Sequence, residues 1–296
     1  GCDTLKINST TITPSTYSVT PTVLNLLPAQ SAYFKVTFLP PAVASYTGGV
    51  TFHSNIADFT VCLTGAGLAP LALTVPLAEG SNHTLAVCSA CDDVFSWGYN
   101  GNGQLGDNTT IDKQTAIQSK ILGISAVAGG ESHSLALKKN GTVWSWGYNG
   151  YGQLGDGTTN QRLIPVAVTG LTGVFLSISA PYYQSYAVKS NGTLWAWGYN
   201  GYGQLGDGTT TTRYSPVQVT SLTGVTAVAA GYYHTLALKN DGTVWAWGYN
   251  GYGQLGDNTT TQRTSPVQVQ GPGGIGFLTG VVAIAGGENY SLALKS

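Results

Sequence analysis

Along most of this 296-residue chain, apolar residues come in runs of four to six, set off by Gly, Asn, Asp or Pro. Short runs rich in β-branched and aromatic residues predict strands, and no stretch sustains a helical period. Residues 222–272 show the arrangement. Val225 to Ala230, His234 to Leu238, Thr243 to Trp247 and Pro266 to Val269 predict four strands. Asn-Asp-Gly between the second and third predicts a hairpin turn, because Asn and Gly accept the positive φ of tight β-turns. In the third strand Trp245 and Trp247 share one face, Val244 and Ala246 the other, and neither face is charged. Both faces are therefore expected to be buried, one bulky and one small.

The pattern repeats. SWGYNGNGQLGDNTT at 96–110 returns nearly unchanged at 145–159, 196–210 and 246–260, with Trp97, Trp146, Trp197 and Trp247 spaced 49, 51 and 50 residues apart. A fixed period near fifty marks one supersecondary unit used repeatedly. Four-stranded sheets that interlock large against small side chains stack into a β-propeller. Four whole blades are expected at about 71–119, 120–170, 171–221 and 222–272, followed by two strands of a fifth in Val281 to Lys295. Residues copied into every unit hold the unit together, so a one-off site belongs where the units differ.

His-x-Leu-Ala-Leu, x-Asn-Gly-Thr-Val-Trp-x-Trp-Gly-x-Asn and Gly-Gln-Leu-Gly-Asp together resemble the regulator of chromosome condensation repeat, over about 71–296. The resemblance implies a propeller, in that family usually of seven blades. The first seventy residues lack tryptophan and the repeated block. Their short strands include Ala32 to Phe38, Gly49 to Phe52 and Phe59 to Leu63. Tyr17-Ser-Val-Thr-Pro, Val-Thr-Phe-Leu-Pro and Leu63-Thr-Gly-Ala-Gly67 resemble the Hydin-type immunoglobulin-like domain. The expected fold is thus all-β: an Ig-like β-sandwich at 1–68, lacking its first strands, and propeller repeats at 69–296. Both ends read as interrupted domains. The chain is then part of a longer protein, or takes strands from neighbouring molecules, or the family register misleads.

Charge narrows the partners. Only 8% of residues are charged and the net charge is −1, against roughly 25% charged in ordinary globular domains. No basic cluster is present to neutralise a nucleic-acid backbone, and no apolar run approaches the ~20 residues of a membrane-spanning helix. Cys88 and Cys91 flank a hairpin tip where later repeats have Asn-Gly or Asp-Gly, within disulfide range. Cys2 and Cys62 can pair within the first domain. Two disulfides point to an oxidising compartment, extracellular or at the cell surface. Redox and zinc readings of Cys-x-x-Cys lack the βαβ setting and the second pair they require.

Catalytic signals are absent: no paired carboxylates, nucleophile elbow or phosphate loop occurs, and no cofactor is expected. His83, His133 and His234 share one register, with Gln184 and Tyr290 near it in the third and fifth units, and are read as buried hydrogen-bonding struts. Asp107 with Lys113, Asp156 with Arg162, Asp207 with Arg213 and Asp257 with Arg263 are read as loop-stapling ion pairs. One carboxylate per loop is thin for calcium, which takes six to eight oxygens, so no metal is expected. Tyrosine is the candidate for binding. Tyr182, Tyr183, Tyr232 and Tyr233 occupy loops that differ between repeats, and Tyr151, Tyr202 and Tyr252 recur in the glycine loops. Sequons at Asn8, Asn82 and Asn108 offer glycan sites.

The function expected is that of a secreted or surface-displayed, non-enzymatic protein for adhesion, scaffolding or assembly. Its partner would be a protein or glycan, including copies of itself. The alternative is a secreted inhibitor, since a bacterial β-lactamase inhibitor protein resembles the same family; a GTPase exchange factor or a polysaccharide-active enzyme fits less well.

Overall fold

The computed structural model describes the strand backbone within residues 5–66 and all atoms of 77–88 and 93–296. Contacts divide the chain into two units, Gly1–Thr74 and Val75–Ser296.

The first unit contains β1 (Leu5–Thr13), β2 (Tyr17–Thr20), β3 (Leu24–Leu26), β4 (Lys35–Phe38), β5 (Ser45–Ser54) and β6 (Phe59–Ala66). They form an antiparallel sheet ordered β3-β1-β5-β6 and a two-stranded sheet of β2 and β4.

The second unit is a succession of antiparallel four-stranded meanders. The first holds β7 (Leu77–Glu79), β8 (His83–Cys88), β9 (Asp93–Gly98) and β10 (Lys113–Leu122). The second holds β11 (Ile124–Gly129), β12 (His133–Lys138), β13 (Val143–Gly147) and β14 (Arg162–Ala167). The third holds β15 (Phe175–Ser179), β16 (Gln184–Lys189), β17 (Leu194–Gly198) and β18 (Arg213–Gln218). The fourth holds β19 (Val225–Ala230), β20 (His234–Lys239), β21 (Val244–Gly248) and β22 (Arg263–Gln268). A two-stranded sheet follows, of β23 (Val281–Gly286) and β24 (Ser291–Lys295). These are propeller blades. One detail departs from the repeat spacing: β10 runs to Leu122, past the expected end of the first blade, through two register shifts against β9.

The core lies between the sheets. Trp197 and Ala187 of the third blade pack with Leu135, Leu137 and Val143 of the second. Trp247 and Ala237 of the fourth pack in the same way with Tyr186, Val188 and Leu194 of the third. A large ring on one blade meets branched residues on the blade before it. Trp146, Trp197 and Trp247 are wholly buried, whereas Trp97 of the first blade is half-buried. Glycine makes the close approach feasible. A Cβ built on Gly155 or Gly206 would come within 2.7 Å of the Nε1 of Trp197 or Trp247, and both glycines have positive φ.

Candidate functional site

Each glycine loop is organised by one buried asparagine. Asn100, Asn149, Asn200 and Asn250 accept the amide of Leu105, Leu154, Leu205 and Leu255 at 2.9–3.0 Å. Their side-chain amides donate to Asp107, Asp156, Asp207 and Asp257 at 3.0–3.2 Å and to two backbone carbonyls apiece. Lys113 or an arginine closes the loop on the same carboxylate, at 3.1 Å for Lys113 and 2.6–2.7 Å for Arg162, Arg213 and Arg263. Burial works to raise these aspartate pKa values. Hydrogen bonds from the following threonine and from the basic partner outweigh it and hold all four below the usual range. The carboxylates are committed inside their own loops, and no cluster of three or more metal-ligating side chains exists among the described residues.

The repeated histidines lie between blades. His83, His133 and His234 place Nε2 at 2.9–3.0 Å from the hydroxyls of Ser134, Ser185 and Ser291 on the next blade. Those serines donate at 2.8 Å to the carbonyls of Gln104, Gln153 and Gln254. The serine proton is thus spent on the carbonyl, so each histidine must donate from Nε2 and keep Nδ1 bare. Nδ1 has no protein partner in any of the three. A second proton would be buried there unsatisfied, and burial accordingly holds the pKa at about 4 for His83, 3 for His133 and 4 for His234. Gly80, Gly130 and Gly231 face these rings, where a Cβ would overlap the imidazole.

The third blade solves the same problem differently. It has Pro181 in that glycine register and Gln184 in place of histidine. The hydroxyl of Tyr186 instead reaches both Thr235 Oγ1 and the Gln204 carbonyl at 2.8 Å. Gln184 donates to the Tyr232 carbonyl. Tryptophan completes the three junctions between four-stranded blades. Trp146, Trp197 and Trp247 donate Nε1–H to the carbonyls of Gln104, Gln153 and Gln204 at 2.7, 2.9 and 2.7 Å.

A surface of tyrosines forms at one end of the blades. In an antiparallel meander the loop after the first strand and the loop after the third leave the sheet at the same end. Tyr182-Tyr183 and Tyr232-Tyr233 lie in loops of the first kind, and Tyr151, Tyr202 and Tyr252 in loops of the second. All seven come together. Tyr182 stacks on Tyr232 at 4.6 Å with 14° between rings, Tyr151 meets Tyr183 at 5.0 Å, and Tyr202 meets Tyr233 at 4.8 Å. Sequence reasoning left Tyr148, Tyr199 and Tyr249 out of the binding set, yet they bridge it: Tyr148 to Tyr183, Tyr151 to Tyr199, Tyr202 to Tyr249. Tyr252 joins through Tyr249 at 6.1 Å. Strand direction is the signal that would have found them. The rings remain accessible, with Tyr151 at 37%, Tyr232 at 36% and Tyr252 at 73% exposure.

Four of the phenols are held in the protonated form by their surroundings. Burial, then a hydrogen bond with Tyr183, pushes Tyr182 up to about 12, and burial likewise raises Tyr183, Tyr199 and Tyr233. Glu131 is the charge beside Tyr182 and Tyr183, and it accepts a hydrogen bond from Ser81. The face is therefore aromatic, rich in hydroxyl donors and nearly neutral. Elsewhere, Cys88 is disulfide-bonded; the pairings Cys88–Cys91 and Cys2–Cys62 fall outside the described residues. No helix among the described residues is long and apolar enough to cross a membrane.

Comparison with known proteins agrees with this architecture. A family model described as an RCC1-like domain matches residues 71–296. The ultraviolet-B receptor UVR8 of Arabidopsis thaliana is 33% identical over 154 residues, which cover 51% of this chain and 35% of the receptor. The probable E3 ubiquitin-protein ligase HERC4 of Homo sapiens is 38% identical over 162 residues, covering 52% of the chain and 15% of the ligase. The matches thus take in only a minor part of either relative. Among solved structures, Prp20p from Saccharomyces cerevisiae superposes with a TM-score of 0.65 at 20% identity, covering 83% of this chain and 63% of that one. Human WBSCR16 superposes with a TM-score of 0.64 at 21% identity, covering 84% and 70%. The Prp20p structure is described together with its binding to Gsp1p and histones.

Proposed function

The chain belongs to the RCC1-like domain family, and on that premise we propose that it is a non-enzymatic binding module of an extracellular or cell-surface structure. The tyrosine face is its working surface, and a protein partner in a scaffold or adhesive layer is its ligand. One observation carries this reading: ten tyrosines from five loops of three consecutive blades make a single chain of ring contacts. Packing within a blade requires no such continuity from blade to blade. Tyrosine supplies large, stiff contact area with a hydroxyl at its tip, the profile enriched in protein-recognition surfaces. The three described histidines and the repeated aspartates are occupied structurally, and Glu131, the carboxylate beside the face, accepts a hydrogen bond from Ser81, which supports binding over catalysis. The disulfide at Cys88 and the 8% charge content support a location outside the cytoplasm. The strands of the first unit serve in this reading as an Ig-like module that joins the propeller blades to the rest of the assembly.

The test is retention. The fluorescently labelled chain should be held saturably by surface material of its source cells. Tyr182→Ala with Tyr232→Ala should abolish that retention while shifting Tm by no more than about 2 °C, the effect of about 0.5–1 kcal/mol. Equal retention of both proteins, or retention by cytosolic material alone, would refute the proposal.

A further inference from the structure

The third blade departs from its neighbours where it meets the fourth, and the departures converge on two tyrosines. The loop after the first strand of each blade carries Ser81, Glu131, Tyr182, Tyr232 and Glu288 in one register. Only Tyr182 and Tyr232 are aromatic, and their rings stack at 4.6 Å with 14° between planes. The main chain of both is held in place. Pro181 fixes its own φ just before Tyr182, and the Tyr182 carbonyl accepts the Glu131 amide at 3.0 Å. Gln184 stands where the first, second and fourth blades have histidine, and its side-chain amide reaches across to the Tyr232 carbonyl at 2.6 Å. The rings are nevertheless open to solvent: Tyr232 is 36% exposed and Tyr182 is half-buried. Tyr183 lies against Tyr182 at 4.1 Å, and the Tyr182 phenol shares hydrogen bonds with those of Tyr183 and Tyr233.

We propose that Tyr182 and Tyr232 form an oxidative cross-linking site, at which a haem peroxidase using hydrogen peroxide joins the two rings into dityrosine and so bonds the third blade to the fourth. Each phenol gives one electron to the oxidised haem and its hydroxyl proton to water, leaving two neutral phenoxyl radicals. The radicals couple through the carbons ortho to their oxygens, and the new C–C bond forms from orbitals that point out of the ring planes. Near-parallel stacked rings aim those orbitals at each other. Edge-on pairs such as Tyr199 with Tyr202, at 72°, do not. The hydrogen on each coupled carbon then moves to the oxygen, which restores both phenols. The two electrons and two protons released convert one hydrogen peroxide into two waters, so the chain loses two hydrogens. A radical formed first on Tyr183 reaches the site as well: an electron crosses the 4.1 Å ring contact from Tyr182 while a proton crosses the hydrogen bond between the two phenols. The reaction goes beyond the binding role of the face and needs no bound partner.

The experiment treats the purified 296-residue chain, dilute enough to disfavour encounters between molecules, with a haem peroxidase and hydrogen peroxide. The product should be a monomer lighter by two hydrogens, with dityrosine fluorescence. After trypsin, peptide 163–189 should be linked to peptide 214–239 through Tyr182 and Tyr232. The bond ties residues fifty positions apart, so the urea midpoint should rise as the unfolded chain loses loop-closure freedom. Tyr232→Phe keeps the ring, removes the hydroxyl and should abolish this product, whereas Tyr214→Phe should leave its yield unchanged. Tyr99 and Tyr214 serve as internal standards, because at 43% and 48% they are more exposed than Tyr232 yet lie outside the chain of ring contacts. Cross-links at Tyr99 and Tyr214 in proportion to their exposure would overturn the proposal. So would product formed only between molecules, full yield from Tyr232→Phe, or no loss of two hydrogens at all. The peptide map of the unchanged chain decides the matter however the variants fold. With no partner present, failure here leaves the binding role of the face standing, and failed retention by cell material leaves this bond standing.

Discussion

Replacing His133 by Gln together with Leu135 by Tyr transplants the third blade's solution, Gln184 and Tyr186, into the second blade. The double variant removes one buried imidazole and supplies a hydroxyl for Ser185 and the Gln153 carbonyl in its place. Its effect is best read from pH. A histidine titrates near 6.5 in the unfolded chain, while burial holds His83 and His234 at about 4 and His133 at about 3 in the folded one. Between those values the unfolded chain binds protons that the folded chain refuses. Stability is therefore complete above about pH 6.5 and is lost as pH falls toward the folded pKa values. Each such group contributes a slope of about 1.4 kcal/mol per pH unit, so three together give about 4 in mid-window. At pH 5, about 1.5 units below the unfolded value, the loss is about 2 kcal/mol per histidine. The variant should reduce the slope by about 1.4 kcal/mol per pH unit, roughly a third. His53 belongs to the first unit and cancels in the comparison. The four loop aspartates, whose pKa values lie below 3.8, contribute stability that is lost only at still lower pH. Urea unfolding followed by tryptophan fluorescence between about pH 7.5 and 5 measures both slopes. Equal slopes in variant and parent, or a parent more stable at pH 5 than at 7.5, would refute the reasoning.

Further substitutions separate the contributions of loop and junction. Trp197→Phe removes the 2.9 Å bond to the Gln153 carbonyl and should cost about 1–3 kcal/mol in urea unfolding; Trp97→Phe, at a half-buried position, should cost clearly less. Asn200→Ala deprives the Leu205 amide of its acceptor and should cost about 1–3 kcal/mol, with new proteolytic cleavage appearing in the loop at 199–211. Arg213→Ala breaks the 2.6 Å pair with Asp207, but its guanidinium is about a third exposed, so the loss should stay near or below about 1 kcal/mol and shrink in salt.

The blades were legible because a fifty-residue period and Asn-Gly turns leave little freedom in strand placement. The histidines were legible as struts because three of them share one register. Their partners were not. A serine hydroxyl one position after the same register in the next blade, which holds His133, Gln184 or Tyr290, has no distinguishing mark, and Gln104, Gln153 and Gln204 act through backbone carbonyls, which any residue possesses. The coincidence of Pro181, Gln184 and Tyr186 in one blade is the signal that would have linked ring, glycine and hydroxyl. For the tyrosine face, sequence gave the loops that vary. The recurring Tyr148, Tyr199 and Tyr249 stayed outside that set, since repetition within a blade says nothing about contact between blades.

The blade junction has a direction. Each of the first three blades offers a carbonyl to its successor, and its successor answers with an indole N–H and a hydroxyl. The third blade keeps to the same terms, since the Tyr186 hydroxyl meets Thr235 where a histidine would meet serine. Because the two sides of a blade are complementary and nearly identical from blade to blade, order carries little meaning. Whole units can be duplicated, lost or exchanged without stranding a buried donor or acceptor inside the array. A gene encoding such blades can lengthen or shorten in steps of about fifty codons while every internal joint remains intact, whereas a change of half a step would expose a joint at once.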